Sequence, residues 1–272
     1  MTERDAELSQ LWHDLFTNPD HPAHRHSRRA RKFWKHLPGD PRCKMCSVPL
    51  GGAAAPVLRL TSKAPASGNP RYCNKCEIWT RQNPGGAEVE MSFLFADVRG
   101  STRLAEEMGA ADFATLMHRF YRLANEVLVE SDAWMDKPVG DEIIAIYLPI
   151  FTGNHAARAI EGAEALLEAL ASELEEETQL DVGGGVHTGV AYIGTVGVEG
   201  TDTYDITVLG DAVNVTARLA SMAVAGEILV SKATMASAGH DPEGLPSRRL
   251  DLEGRRAPLI VHPITRVSAP VG

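Results

Sequence analysis

The run VEMSFLFADV, residues 89–98, decides the fold. Its apolar residues are nearly continuous and it stops at Asp97. A strand buried in the middle of a sheet reads this way, because neither of its faces meets water. Downstream, STRLAEEM (101–108) and ADFATLMHRFYRLANEVLVE (111–130) read as helices, the second with Phe113, Leu116, Phe120, Leu123 and Val127 at helical spacing. DAWMDKPVGDEIIAIYLP (132–149) reads as a strand pair with a tight joint at Val139-Gly140. NHAARAIEGAEALLEALASELEEE (154–177) is an amphipathic helix with Ile160, Leu167, Leu170 and Leu174 on its core face. LDVGGGVHTG (180–189) and AYIGTVGV (191–198) read as a second strand pair, followed by a helix at DAVNVTARLASMA (211–223) and a strand at EILVSK (227–232). The expected fold class is α+β: a ferredoxin-like βααββαβ palm, one antiparallel sheet covered by helices on a single face.

Composition bounds what this body belongs to. The chain has 272 residues, 44% hydrophobic and 23% charged, as in ordinary globular proteins. No apolar run reaches the 18 or so residues of a membrane-spanning helix. The opening MTERDAELSQLWHDLF lacks the apolar core of a signal peptide, so a cytoplasmic location without a membrane partner is expected. The net charge of −9 divides unevenly, with +7 on residues 1–86 and −16 on residues 87–272. A basic head on an acidic body suggests separate units, with Pro84-Gly85-Gly86 as linker. The expected domains are a basic helical segment at 1–42, a four-cysteine module with linker at 43–86, and the body at 87–272.

All four cysteines lie in the head: Cys43, Cys46, Cys73 and Cys76, two C-x2-C pairs separated by 26 residues. Four thiolates in two close pairs suit one tetrahedral structural Zn2+, with an iron–sulfur cluster as the main rival and a redox or metal-free role behind it. The spacer is rich in Gly, Ala, Pro and Ser and needs its ends tied together to be ordered. HPAHRHSRRARKFWKH (21–36) is basic and aromatic. A solvated helix explains it, and a regulatory protein partner or a nucleic acid is the alternative. His21, His24 and His26 read as surface residues, since the cysteines already complete a zinc shell.

Asp97 ends the first strand of the body and Asp141 follows the hairpin joint of the next two. Neighbouring strands would bring the two carboxylates together at one sheet edge, as oxygen ligands for Mg2+ or Mn2+. The bland alternative for Gly140-Asp141 is a plain turn.

Four blocks, FLFADVRGSTRLAEEM, DKPVGDEIIAIY, GVHTGVAYIGTVG and ITVLGDAVNVTARLAS, resemble the signature blocks of the class III nucleotidyl cyclases, in order and over residues 89–265. The diguanylate cyclases resemble only the GDE segment: they need a second glycine where this chain has Val139, and they lack a counterpart to NVTAR. The resemblance implies a catalytic domain at 87–272 in which Asp97 and Asp141, with the Val98 carbonyl, hold two Mg2+ or Mn2+ ions. It implies that Lys137 and Thr207 read the base, that Asn214 and Arg218 orient the ribose and stabilise the transition state, and that the last two come from the opposite subunit of a homodimer. The substrate is then a nucleoside triphosphate, and ATP is favoured on chemical grounds. An ammonium only donates, which suits the N1 acceptor of adenine, while a threonine oxygen accepts from the exocyclic amine. Cytosine offers a similar pattern, and a guanine reader would want an acid at 137. Asp205 is an alternative acceptor for the amine.

Val190 stands where some relatives carry a phosphate-binding arginine, and Glu253 stands near a position where lysine is frequent, leaving Arg255 or Arg256 to supply that charge. His118 and His187 read as structural. The expected activity is adenylate cyclase. The alternatives are a cyclase of other base preference (GTP or CTP), and a catalytically silent nucleotide-binding or scaffold protein.

Overall fold

The computed structural model describes residues 2–21, 33–34, 39, 41–53, 55–136, 138–173, 180–197, 204–252, 254–255 and 257–265. The chain divides into two compact units, one of Met1–Val89 with Ala191–Leu209, the other of Glu90–Val190 with Gly210–Gly272.

The first unit opens with α1 (Glu3–Thr17), started by a capping box in which Thr2 and Asp5 exchange side-chain-to-backbone hydrogen bonds. Its Trp12, Leu15 and Phe16 fall on one face and are buried. The Trp12 ring packs 5.3 Å from that of Trp79 on α3 (Asn74–Gln82), and its Nε1 donates to the Asn83 carbonyl at 3.0 Å. A short α2 (Ala55–Leu58) lies in the spacer between the cysteine pairs. The glycine linker is pinned: Gly85 N–H donates to Thr195 Oγ1 and Thr195 N–H donates to the Gly85 carbonyl, each at 2.8 Å.

The body runs β1 (Gly86–Val98), α4 (Ser101–Met108), α5 (Ala110–Glu130), β2 (Trp134–Met135), β3 (Glu142–Tyr147), α6 (His155–Glu173), β4 (Val182–Gly197), β5 (Tyr204–Leu209), α7 (Asp211–Met222), β6 (Glu227–Ser231), α8 (Lys232–Ala238), β7 (Arg248–Leu250) and β8 (Leu259–Thr265). The sheet order is β2-β3-β1-β4-β6-β8-β7, with β5 paired to β4. This is the expected α+β palm, with three corrections. The sheet is mixed, because β4 and β6 run parallel. The expected strand pair at 180–198 is one long strand, β4, whose antiparallel partner is β5. Helices also cover both faces of the sheet. Ile228 and Val230 of β6 point into the core beneath α5, α6 and α8, while Leu229 between them packs with Val215 and Leu219 of α7. Along α5, Leu116, Phe120 and Leu123 are buried as their spacing implies, whereas Phe113 and Val127 are half-buried. On α6, Ile160, Leu167 and Leu170 are buried, and Leu174 lies outside the described residues.

The glycines of β4 explain how α7 reaches the sheet. A Cβ at Gly185 would fall 2.5 Å from the Leu219 Cβ, so only glycine lets the helix lie this close.

Candidate active site and four-cysteine cluster

β1 and β3 pair antiparallel in a register that puts Asp97 directly opposite Glu142, one residue past Asp141. The joint is tight: Val139 and Glu142 exchange backbone hydrogen bonds at 3.0 Å, with Gly140 at φ 64 between them. That left-handed conformation is cheap for glycine and costly for a side chain. Val98 N–H donates to the Asp141 carbonyl at 3.4 Å, which fixes the joint against the end of β1. Tyr121 of α5 donates its hydroxyl to the Gly140 carbonyl.

The electrostatics follow from this convergence. Burial, and then the charge and hydrogen bond of Asp141, push the Asp97 carboxyl up, and Arg99 at 3.5 Å opposes them. Asp97 Oδ1 is buried and has no hydrogen-bond partner among the described residues. A buried, unpaired carboxylate oxygen beside a second carboxylate suits a hard cation, so the residues present fit a divalent metal. Glu142 shares the cross-strand position of Asp97. Burial first, then Asp97 and Asp141, push it up to about 7.

Beside Asp141 opens a cleft of about 550 Å³ lined by Ser101, Thr102, Phe113, His118 and Tyr121. His118 is exposed and lines this cleft, its ring 6.4 Å from that of Tyr121. His187 is buried, with Nδ1 2.8 Å from Ser231 Oγ, and burial lowers it to about 4.

Asn214 and Arg218 lie on the exposed face of α7, four residues apart. The helix is held by a residue that sequence reading missed. Arg99, just past the end of β1, reaches the Ser221 carbonyl at 3.2 Å and the Gly183 carbonyl at 3.3 Å, and also bonds the Ala220 carbonyl. A Cβ at Gly183 would lie 2.5 Å from Arg99 Nε, so that glycine leaves the guanidinium its room. Arg255 ion-pairs with Asp211 at the start of α7, and Val190 is exposed. Lys137, Glu253 and Arg256 lie outside the described residues, as do His24 and His26.

In the first unit the four cysteines are buried and their sulfurs lie within 4.8 Å of one another. Cys46 and Cys73 Sγ are 3.8 Å apart, the edge of about 3.8 Å expected for a tetrahedron of Zn–S bonds near 2.3 Å. Cys73 N–H donates to Cys43 Sγ at 3.3 Å, and the Lys63 ammonium sits 3.6 Å from Cys46 Sγ. Burial pushes the Cys43 thiol up, while hydrogen bonds from Cys43 and the other thiols, aided by Lys63, hold Cys46 down as thiolate. Thr207, on β5, belongs to this unit, where it pairs with Gly194 of β4.

A family model described as the adenylate and guanylate cyclase catalytic domain matches residues 87–257. The chain belongs to the class III nucleotide cyclase family. Among curated relatives of this chain, an adenylate cyclase of Anabaena cylindrica is 30% identical over 138 residues, covering 47% of this chain and 26% of that one. An uncharacterized protein of Mycobacterium tuberculosis is 30% identical over 166 residues, covering 59% of this chain and 28% of that one. The chain therefore spans little more than a quarter of either relative. Its fold is similar to that of the guanylyl cyclase Cya2 (TM-score 0.62, 24% identity, 69% of this chain and 97% of the other). It is also similar to that of the adenylyl cyclase CyaB from P. aeruginosa (TM-score 0.59, 23% identity, 69% and 99%). Among the described residues, no helix is long and apolar enough to cross a membrane.

Proposed function

We propose that the chain is an adenylate cyclase that forms 3′,5′-cyclic AMP and pyrophosphate from ATP at composite sites of a homodimer. The observation that carries this reading is the convergence of Asp97 and Asp141 beside the cleft, with the buried Asp97 oxygen unpaired among the described residues. Asp97, Asp141 and the Val98 carbonyl would hold two Mg2+ or Mn2+ ions. Bound there, such ions neutralise the triphosphate and lower the pKa of the attacking hydroxyl. In the reaction the ribose 3′-oxygen bonds to the α-phosphorus, the bond to pyrophosphate breaks, and the hydroxyl proton is lost. Arg218, supplied by the opposite subunit, places its fork against charge growing on the α-phosphate, and Asn214 orients the ribose.

For the base, Lys137 donates to adenine N1 and Thr207 accepts from the exocyclic amine. The competing acceptor, Asp205, has its carboxylate committed to Lys44, Arg71 and Tyr72. That commitment favours Thr207 as the acceptor. The cysteine cluster holds one structural Zn2+, a reading supported by its sulfur spacing.

Mixing inactive variants tests the composite site. Asp97→Ala and Arg218→Ala proteins each lack activity alone, and on mixing they regain one working site per heterodimer. Heterodimers that form but stay inactive would refute the assignment of Arg218 to the opposite subunit.

A further inference from the structure

We propose that the four-cysteine module positions the base-reading strand: Lys44, Arg71 and Tyr72 lock Asp205 and Ile206 of β5, so that the state of the module sets nucleotide affinity and base preference. This rests on reading Thr207, the next residue along, as a base contact. β5 lies off the path of the main sheet, and among the described residues its one strand partner is β4. Its other edge would offer unpaired backbone groups. The module claims them. Tyr72 hydroxyl accepts from Ile206 N–H at 3.0 Å, and the Lys44 ammonium donates to the Ile206 carbonyl. The same two side chains bind Asp205, Lys44 at 3.3 Å to Oδ2 and Tyr72 to Oδ1, while Arg71 ion-pairs with Oδ2.

The donors are tied to the metal-binding geometry by sequence position. Lys44 lies inside the Cys43–Cys46 turn, and Arg71 and Tyr72 immediately precede Cys73. Lys44 N–H donates to the Arg71 carbonyl at 2.9 Å, which joins the two cysteine turns. The Lys44 side chain is only 2% exposed. A buried ammonium is tolerated only with its partners in place, so Lys44 and Asp205 hold each other. If the two turns separate, the lock on β5 opens, and Thr207 loses its fixed position.

The test uses the full chain. Asp205→Asn and the milder Tyr72→Phe are compared with wild type for KM and kcat on ATP and GTP, together with metal content per chain. Asp205→Asn is expected to raise KM for ATP about tenfold and to lower the ATP-over-GTP ratio of kcat/KM by a similar factor, with kcat within about threefold. Tyr72→Phe is expected to shift both in the same direction by about threefold, with metal content unchanged in each. A loss confined to kcat, or an unchanged KM and base ratio in folded variants, would overturn the proposal. Amide hydrogen exchange of residues 204–209 gives a readout that needs no turnover. Protection there is expected to fall about tenfold in Asp205→Asn and in chelator-stripped wild type. Equal protection in all three would overturn the lock even if the chain proved to turn over no nucleotide, an outcome that would by itself remove only the cyclase reading.

Discussion

Asp97 and Glu142 face each other across β1 and β3, and the joint that aims Asp141 at Asp97 begins at the very next residue. Three carboxylates therefore crowd one hairpin end. Such crowding stabilises nothing in the metal-free protein, so it marks a site selected for binding rather than for stability. Asp97→Asn should cut activity by about 10²–10³ while raising Tm of the metal-free protein by about 2–4 °C. Calorimetry and an initial-rate assay check both halves, and a destabilised Asp97→Asn protein would argue against the crowding account.

The same geometry sets a dependence on pH. Glu142 titrates near 7 when folded, against an ordinary value of 4.5, so the folded state binds more protons between these limits. Stability of the metal-free protein therefore falls as pH rises from about 4.5 to about 7 through this group. His187 contributes the opposite slope. Its value is lowered from 6.5 to about 4, so its contribution is complete above 6.5 and is lost as pH falls through 4. The two slopes oppose one another between about 4.5 and 6.5. Glu142→Gln should steepen the rise of stability with pH in that window, and urea unfolding at several pH values measures it.

Gly140 carries the sharp turn at φ 64, and nothing lies within 4 Å of a Cβ built there. Gly140→Ala therefore meets a backbone penalty without a clash, about 1 kcal/mol of stability. The larger effect is expected in activity, because the residue that aims Asp141 is the one disturbed. Denaturant midpoints and kcat measured on the same preparation separate the two.

Gly183 makes room for Arg99, which holds the Ala220 and Ser221 carbonyls near the end of α7. Gly183→Ala should displace the guanidinium and loosen the helix that presents Asn214 and Arg218. Activity is expected to fall about tenfold or more, with KM less affected than kcat. An unchanged kcat would show that Arg99 does not position this helix.

Much of this was legible from local signals. An apolar run ending on Asp97 and a Gly before Asp141 place both carboxylates at strand ends, and strand neighbourhood brings them together. The two C-x2-C pairs announce their own cluster for the same reason, since the spacing is covalent. The errors came from residues whose reason for being there is non-local. Gly183, Gly184, Gly185 and Gly189 resemble turn signals, yet they sit inside β4; Gly183 and Gly185 make room for Arg99 and α7. Helices on both faces were implied by the continuous apolar run itself, because a strand buried on both sides needs cover on both. The place of Glu142 beside the pair is non-local too, because it is set by the register with Asp97 across β1 and β3. The hold of Lys44, Arg71 and Tyr72 on Asp205 spans more than 130 residues of sequence, and no periodicity reports it.

The most direct measurement offers the purified full chain ATP, GTP, CTP and UTP separately, with Mn2+ or Mg2+, and resolves the cyclic products. Formation of 3′,5′-cyclic AMP from ATP, well above the product from the other three and cut by about 10²–10³ in Asp97→Asn, is the expected result. Absence of any cyclic nucleotide from a folded, metal-supplied protein would contradict the cyclase reading, and cyclic GMP as the main product would contradict the assignment of the base.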